Sequence, residues 1–214
     1  MICFLCSLGG YLLGSINPSY FISRIKGFDI RKKGTGNAGA TNAMFTLGFG
    51  SGVIIMIFDI LKAYIAVTVP HKLLSFPLEY GILSGVSCAV GHVFPFYMRF
   101  RGGKGTACLA GIVLGLTPVL FLPMAVCAFV IGLIVNYVSF LPALAAVVYP
   151  TLYYLDTKHT AGALILMTLG PLLLWSHRKN AGRRKNGEES PFRSVIFGRN
   201  LDECVERKKD RESD

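Results

Sequence analysis

The chain has 214 residues, of which 52% are hydrophobic and 16% are charged, and its mean hydropathy is +0.52. These values exclude an ordinary water-soluble domain and predict a protein with several membrane-spanning helices. The formal net charge is +10. The cations lie in a few loops between apolar runs and in the tail, which argues for membrane topology and anionic ligands and against nucleic-acid binding.

Six cysteines, at positions 3, 6, 88, 108, 127 and 204, are mostly scattered through the apolar runs. They do not show the paired spacing of a metal site or a disulfide framework, so we interpret them as small hydrophobic residues. The sequence therefore predicts no metal site.

The first apolar run, residues 2–23, has no cation before it and several cations soon after it. A secretory signal peptide has the opposite order of charge, so this run predicts a retained first span with its N-terminus outside. Ser15, Asn17, Pro18 and Ser19 interrupt its second half, which indicates that this end lines a polar interior.

The next loop contains a literal Gly-x-Gly-x-x-Gly at residues 34–39, and Asp59 lies twenty residues past Gly39, where a dinucleotide fold would place its ribose-binding acid. However, no apolar strand precedes Gly34, and Asp59 lies within a membrane-length run. We interpret the segment instead as a loop of backbone donors, hydroxyls and amides beside cations.

Residues 50–70 form the second predicted span and residues 76–98 the third. Asp59 and Lys62 are spaced i, i+3 and can pair on one helical face, which lowers the cost of carrying charge at membrane depth. We favour a self-neutralising pair packed between helices. A lone histidine near a helix end, such as His92, is more typical of a hydrogen-bonded packing residue than of a catalyst.

Residues 99–106 read Arg-Phe-Arg-Gly-Gly-Lys-Gly-Thr and form a cationic glycine loop between two apolar runs. Glycines that expose backbone N–H groups, together with three cations, suit a loop that cradles phosphate. It is not a Walker loop, because Met98 stands where that motif needs glycine. Taken alone, the loop could equally be a positive-inside loop that orients the neighbouring helices.

From residue 106 to residue 137 the chain carries no charge, a length of about 48 Å as a helix against a membrane core of roughly 30 Å. Two shorter spans with a turn near Thr117-Pro118 fit this run better than one. Residues 138–155 and 161–175 are two further spans, which return the basic C-terminus to the cytoplasm. The predicted fold is all-α, a polytopic membrane protein with seven transmembrane helices, N-terminus outside and C-terminus cytoplasmic.

The segment after the seventh span is strongly basic. If the last helix continues past the membrane, His177, Asn180 and Arg184 share one face at spacings of three and four. The alternative is a basic stop-transfer cluster. We predict a membrane domain over residues 1–189 and a charged, flexible cytoplasmic tail over residues 190–214 that contacts anionic lipid.

In order and spacing, these motifs resemble the bacterial acyl-phosphate-dependent glycerol-3-phosphate acyltransferase family. The resemblance covers about residues 10–190, and it is specific because several independent motifs occur together. The motifs are Gly14-Ser15-Ile16, residues 34–42, Asp59 with Lys62, Gly91-His92, Gly102-Gly103-Lys104-Gly105, Tyr137-Val138-Ser139, and His177-Arg178-Lys179-Asn180 with Arg183, Gly187 and Glu189.

The resemblance implies seven spans and an active site at the cytoplasmic face of the bacterial inner membrane. It implies transfer of an acyl group from acyl phosphate to glycerol 3-phosphate, giving lysophosphatidate and phosphate in the first acylation of phospholipid synthesis. An acyl phosphate is already activated, so the reaction needs no cofactor, no covalent nucleophile and no coenzyme A. Holding the reactants in attack geometry can supply about 7 to 11 kcal/mol. The implied partners are both substrates and membrane lipids, with an upstream acyl-phosphate-forming enzyme as a further candidate.

By the same resemblance, Lys104 is a candidate for neutralising the departing phosphate, and Thr35 for donating a hydrogen bond to phosphate. His177 and Asn180 would orient the glycerol hydroxyl. His177 is the candidate base, although the substrate's own phosphate could accept the proton. The candidate substrate-binding residues are Gly34, Gly36, Asn37, Arg101, Gly102, Gly103, Gly105, Ser139, Arg183 and Glu189, of which the last would brace the cationic loop.

Three residues depart from the family's usual pattern. Thr35 stands where serine is usual and keeps the hydroxyl, and Pro142 stands where a serine is common. Phe45 replaces a usual arginine that is thought to bind substrate phosphate, so a bidentate clamp is missing. Without a substitute, glycerol 3-phosphate would bind weakly. The candidate substitutes are Arg24, Arg31, Lys32 and Lys33.

Two other classes of function compete with this interpretation. A transporter or channel for a phosphorylated solute could use the same cationic loops as a vestibule, but it should show inverted repeats and a midplane site made by broken helices. The sequence shows no convincing internal repeat, and its polar residues cluster at one face. A structural membrane subunit would leave three glycine-rich polar segments without a role, so the enzyme is favoured.

Overall fold

The computed structural model describes residues 1–136, 140–185 and 192–193. Across these residues it contains ten α-helices and no strand, which confirms the predicted all-α class. The helices are α1 (Ile2–Ser15), α2 (Pro18–Ile25), α3 (Ala40–Thr46), α4 (Phe49–Thr68), α5 (Leu78–Val93), α6 (Thr106–Leu116), α7 (Pro118–Val135), α8 (Leu141–Thr157), α9 (Thr160–Met167) and α10 (Leu169–Lys185).

Five segments of the described chain are long and apolar enough to cross a membrane. They are Ile2–Ile25, Phe49–Leu73, Leu78–Met98, Pro118–Val135 and Thr160–Arg178. Helices α6 and α8 are shorter, with 11 and 17 residues. The polytopic membrane class is therefore supported, whereas the seven crossings and the orientation of the two termini stay predictions.

The first span is interrupted where the sequence predicts a polar interior. Helix α1 ends at Ser15 and α2 begins at Pro18, after Asn17 has capped α2 by accepting a hydrogen bond from the Tyr20 amide at 3.0 Å. The side chains of Ser15, Asn17 and Ser19 are buried, as predicted. Such a break leaves carbonyl groups inside an apolar bundle, and these groups need donors from other helices.

The long charge-free run turns at Thr117, as predicted. Thr117 has φ −138° and ψ 72°, a non-helical conformation that agrees with the bias of a residue before proline away from the α region. Pro118 then starts α7 without needing a partner for an N–H group. The Thr117 hydroxyl lies 3.0 Å from the hydroxyl of Tyr149 on α8, so the polar group at the break is paired inside the bundle.

Helices α1 and α5 pack backbone to backbone. A Cβ atom at either Gly10 or Gly14 of α1 would collide with carbonyl groups of α5. In turn, a Cβ atom at Gly91 of α5 would collide with the Tyr11 carbonyl of α1. Small residues allow this close approach in membrane proteins, where packing drives helix association. The contact fixes the end of α5, which carries His92, against the broken first span.

The buried core lies between α4, α5, α6, α8, α9 and α10. Its largest fully buried side chains include Ile82, Ile112, Tyr149, Leu166 and Leu173. Helix α7 lies at the periphery, because Gly132 is the only buried residue among its 18 residues. An apolar helix of this kind presents most of its surface to lipid.

Candidate active site

One cavity of about 420 Å³ brings together the polar segments of the chain. Its polar part is lined by Thr35, Asn37, Lys104, His177 and Asn180, which come from three separate parts of the sequence. Its other walls are apolar and come mainly from α4, α6, α7 and α8. All four candidate catalytic residues therefore border a single space that has both a polar and an apolar part.

The first glycine loop (residues 33–39) is shaped by one fully buried side chain, that of Asn42 on α3. Its Oδ1 atom accepts a hydrogen bond from the Thr35 amide at 2.7 Å. Its Nδ2 atom lies 2.8 to 3.1 Å from three carbonyl oxygens, those of Ile30, Lys33 and Asn37. Asn42 was not among the candidate site residues predicted from the sequence. The available signal was an asparagine at a helix start after a glycine-rich loop, a place where its side chain bonds to backbone groups.

Two glycines turn this loop around Thr35. Gly34 has φ +56° and Gly36 has φ +71°, values that favour glycine. The two glycines do not border the cavity, so their part is to set the backbone that presents Thr35 and Asn37 to it. Their predicted direct contact with substrate stays a prediction.

The broken first span supports the same loop. The Asn17 Nδ2 atom donates to the Ala38 carbonyl at 2.9 Å, and the Ser19 hydroxyl donates to the same carbonyl at 3.0 Å. Both side chains are buried. The interruption between α1 and α2 therefore positions the first glycine loop.

The second glycine loop (residues 99–105) is held through its main chain. The Gly102 amide donates to the Val93 carbonyl, and the Gly103 amide donates to the His92 carbonyl, each at 3.0 Å. Both amides were predicted from the sequence to bind phosphate. In the structure, each already donates its hydrogen bond to a carbonyl group at the end of α5. The loop folds back on α5 and brings the next residue, Lys104, to the cavity.

The residues predicted in the second loop divide into two groups. Lys104 and Gly105 border the cavity, whereas Arg101, Gly102 and Gly103 do not. Arg101 is exposed, so its charge acts on the cavity only from a distance. The two inner glycines shape the loop.

Lys104 contacts the last helix directly. Its Nζ atom donates to Asn180 Oδ1 at 2.7 Å, and its carbonyl accepts from the Ser176 hydroxyl at 2.9 Å. His177 Nε2 lies 3.4 Å from the Thr106 hydroxyl. Within the described residues, His177 Nδ1 is buried without a hydrogen-bond partner. A buried polar atom in this position beside a cavity is suited to a ligand or an ordered water.

Of the two alternatives left open after the last predicted span, the structure shows the helical one, because α10 runs Leu169–Lys185 and includes His177 and Asn180. Arg183 lies within α10, but its side chain is outside the described part of the structure, as is that of Arg184. Ser139 and Glu189 lie outside the described residues altogether.

Arg31 joins the two loops but is engaged by an acid. Its Nε and Nη2 atoms bind the two oxygens of Asp29 at 3.0 and 2.8 Å, and its Nη1 atom donates to the Met98 carbonyl at 2.6 Å. Hydrogen bonding to Arg31 lowers the pKa of Asp29 to about 2, and the same contact raises the pKa of Arg31. Of the candidate substitutes for the missing arginine, Arg31 is therefore committed to a structural contact.

Phe45 lies at the place where that arginine is missing. It is half-buried on α3, one turn after Thr41, which borders the cavity. Residues four apart share a helix face, so a longer side chain at position 45 would reach toward the cavity. Two other candidate substitutes contact rings instead: Arg24 lies over Tyr20, and Lys33 lies over Phe28.

Phe192, which falls in the predicted tail, borders the cavity. Its amide donates to the Asn136 carbonyl at 2.9 Å, and its ring lies 5.9 Å from that of Phe129 on α7. The Arg193 guanidinium donates to the Leu133 carbonyl at 3.0 and 3.2 Å. This contact was not predictable, because a polar segment of mixed charge gives no local sign of the helix on which it docks.

The chain is similar in sequence to proteins of one known family. A sequence profile described as Glycerol-3-phosphate acyltransferase matches residues 4–187. A glycerol-3-phosphate acyltransferase of Bacillus velezensis is 36% identical over 180 residues, covering 84% of this chain and 92% of that protein. One from Geotalea daltonii is 38% identical over 189 residues, covering 87% and 95%.

Two solved structures are also similar. Both are crystal structures of PlsY, an integral membrane glycerol 3-phosphate acyltransferase, at 28% identity. The glycerol 3-phosphate form has a TM-score of 0.83 and covers 92% of this chain and 99% of PlsY. The lysophosphatidic acid form has a TM-score of 0.75, covering 91% and 98%. With a matched profile, curated relatives and a shared fold, the chain belongs to the glycerol-3-phosphate acyltransferase family.

Proposed function

We propose that this protein transfers an acyl group from an acyl phosphate to glycerol 3-phosphate, giving 1-acyl-glycerol 3-phosphate and inorganic phosphate. The observation that carries the proposal is the single cavity bordered by Thr35, Lys104, His177 and Asn180, with apolar walls beyond them. The relatives named glycerol-3-phosphate acyltransferase support the acceptor. The lysophosphatidic acid form of PlsY supports the product.

The reaction needs both substrates to be held in position and positive charge to lie near the leaving phosphate. The glycerol hydroxyl oxygen attacks the acyl carbonyl carbon, a new carbon–oxygen ester bond forms, and the bond to the phosphate oxygen breaks. The hydroxyl proton leaves to a base, and the phosphate departs with the electrons of the broken bond. Since the acyl carbonyl is already activated, no covalent enzyme intermediate and no cofactor are required.

Lys104 supplies the positive charge, and Asn180 orients the Lys104 ammonium. The Lys104 ammonium neutralises negative charge as it develops on the leaving phosphate, an effect that is strong in a water-poor site. Its contact with Asn180 at 2.7 Å fixes where that charge lies. Thr35 and Asn37 add polar groups from the first loop for the second anionic substrate.

His177 is the protein group best suited to the glycerol hydroxyl. Its Nδ1 atom is buried, has no partner among the described residues and belongs to a side chain that borders the cavity. A substrate hydroxyl could donate to that atom and be turned toward the carbonyl. Transfer of the proton to a substrate phosphate is the alternative route, and in that case His177 orients only.

The apolar walls provide a place for the acyl chain. Ile60, Leu109, Val113, Phe121 and Met124 are among the residues that border this part of the cavity. Burying one methylene group contributes about 0.8 kcal/mol, so an acyl chain lying there binds without a specific polar contact. The peripheral position of α7 leaves this wall next to lipid.

The proposal includes a topology. Seven crossings of the bacterial inner membrane, with the N-terminus outside, would put the two glycine loops and the basic end of α10 in the cytoplasm. Residues 1–189 would form the membrane domain, followed by a cytoplasmic tail. Acyl phosphate would then reach the site from an upstream enzyme on the cytoplasmic side.

The test is an assay of the purified protein with labelled glycerol 3-phosphate and either acyl phosphate or acyl coenzyme A. We expect lysophosphatidate from acyl phosphate, with one phosphate released per product. Equal turnover with acyl coenzyme A would contradict the proposed donor. No lysophosphatidate from either donor would contradict the proposed reaction.

A further inference from the structure

A buried charged cluster lies beside the cavity and has no part in the proposed chemistry. Asp59 and Lys62 of α4 and His92 of α5 are 1%, 2% and 3% exposed. Lys62 Nζ lies 2.7 Å from Asp59 Oδ1 and 3.0 Å from His92 Nδ1. The predicted Asp59–Lys62 pair is thus confirmed, and His92 joins it. Buried ion pairs contribute little stability compared with apolar residues of similar size, so stability alone does not account for the cluster.

Lys62 connects this cluster to the first glycine loop. Its Nζ atom donates to the Gly14 carbonyl at 3.0 Å and to the Ile16 carbonyl at 2.8 Å, two of the groups left open where the first span breaks. The next residue, Asn17, holds the Ala38 carbonyl in the first glycine loop. Lys62 therefore fixes the backbone on which the loop carrying Thr35 rests.

His92 connects the same cluster to the second glycine loop. Its carbonyl accepts the Gly103 amide, and its imidazole lies directly against Gly103, where a Cβ atom would collide with His92 Nε2. The imidazole also borders the cavity. The position of this ring therefore limits where Gly103, and with it Lys104, can lie.

We propose that Asp59, Lys62 and His92 act as one unit of positioning residues that holds the two glycine loops in register, so that Thr35 and Lys104 meet the same pair of phosphorylated substrates. The inference rests on the proposed function of the cavity. It assigns the three residues a task other than chemistry, because they act through the loops.

The test removes the charges and keeps the size of the side chains. The double variant Asp59→Asn, Lys62→Met removes both charges together, so no single buried charge is left unpaired. It also takes the donor from the Gly14 and Ile16 carbonyls, so protein with a cooperative melting transition is isolated before the assay. The kcat/KM of this protein should fall about 100-fold, the scale of loss expected for a misplacement near 1 Å. KM for both substrates should rise, because both loops lose their register. A mere loss of folded protein would lower kcat and leave KM unchanged.

A second pair of variants keeps the ion pair and changes only the ring. His92→Leu should lose about as much activity as the double variant, and His92→Gln should recover part of it, because its amide can still bond to Lys62. The matched control is Glu79→Gln, which alters the Glu79–His159 pair of 3.0 Å at the opposite end of α5. This control should retain the kinetics of the unaltered protein.

Binding is measured separately from turnover, as the rise in melting temperature caused by glycerol 3-phosphate. The unaltered protein and Glu79→Gln should show the rise, and the folded cluster variants should lose most of it. Folded cluster variants that keep both the rise and kcat/KM within threefold would overturn the inference. Failure of the unaltered protein to make lysophosphatidate would overturn the proposed function instead, and the binding comparison would still decide the positioning role.

Discussion

The two glycine loops resemble each other in sequence but are built in different ways. The first is shaped by a side chain, because Asn42 binds four backbone groups around Thr35. The second is shaped by its main chain, which pairs with the end of α5, and by the lack of a side chain at Gly103. Activity should therefore be sensitive to the loss of the Asn42 side chain at the first loop. At the second loop, it should be sensitive to the addition of a side chain at Gly103.

The largest effect should come from the charge of the second loop. Lys104→Ala should abolish turnover, with a loss of about 10³-fold in kcat, because it removes the cation that we propose faces the leaving phosphate. The melting temperature should change little. Arg99→Ala is the matched control, since it removes an exposed cation from the same loop. Near-normal phosphate release by a well-folded Lys104→Ala would remove this loop from the mechanism.

An added atom tests how the second loop is built. Gly103→Ala places a Cβ atom against the His92 ring, so kcat/KM should fall about 10- to 100-fold as Lys104 is displaced. Gly50→Ala is the control, because a Cβ atom there meets nothing within 4 Å. Equal activity of the two variants would contradict the contact with His92.

A removed side chain tests how the first loop is built. Asn42→Ala leaves four backbone groups without their partner, so the free energy of unfolding should fall by about 2 to 4 kcal/mol. KM for glycerol 3-phosphate should rise about tenfold. Thr46→Val is the control, because its hydroxyl donates only to a carbonyl of its own helix, at 2.8 Å. A normal KM in Asn42→Ala would mean that the loop keeps its shape without the amide.

A gain of function tests the missing clamp beside the first loop. Phe45→Arg should leave the protein active and lower KM for glycerol 3-phosphate several-fold, because a guanidinium can bind phosphate through two hydrogen bonds. Phe45→Lys should give a smaller decrease, since lysine lacks that planar fork. An unchanged or higher KM in Phe45→Arg would mean that another residue already fills the role.

The smallest effect concerns the Asp29–Arg31 pair, through which Arg31 is held against the Met98 carbonyl just before the second loop. Asp29 has a pKa of about 2 in the folded protein against 3.8 ordinarily, so its stabilising effect is present above the higher value and disappears as the pH falls toward the lower one. Asp29→Asn should cost about 1 kcal/mol of stability at pH 7. Melting curves between pH 2 and 7 should show this difference shrinking below about pH 4. A difference independent of pH would exclude the ion pair as its cause.

Features that depend on neighbouring residues were predictable from the sequence. The break at Asn17-Pro18, the turn at Thr117 and the Asp59–Lys62 pair all follow from proline, polar residues or helical spacing within a few positions. The clustering of three polar segments around one cavity also follows, because each begins where an apolar run ends.

Features that depend on distant contacts were not predictable. The amides of Gly102 and Gly103 look available to phosphate until the end of α5 is seen to occupy them. His92 has the pattern of a packing residue, and only the fold places its ring against Gly103. Asn42 was visible in its motif, but its four partners depend on how the loop closes around it.

The docking of Phe192 and Arg193 connects a short stretch of chain beyond α10 to the α7 wall of the cavity. Helix α7 buries only Gly132, and Arg193 holds the Leu133 carbonyl one residue further along it. Because residues 192 and 193 contact α7 directly, a change in their position would be transmitted to the α7 wall of the cavity. A fluorescent label attached close to residue 193 would therefore report whether the cavity is occupied.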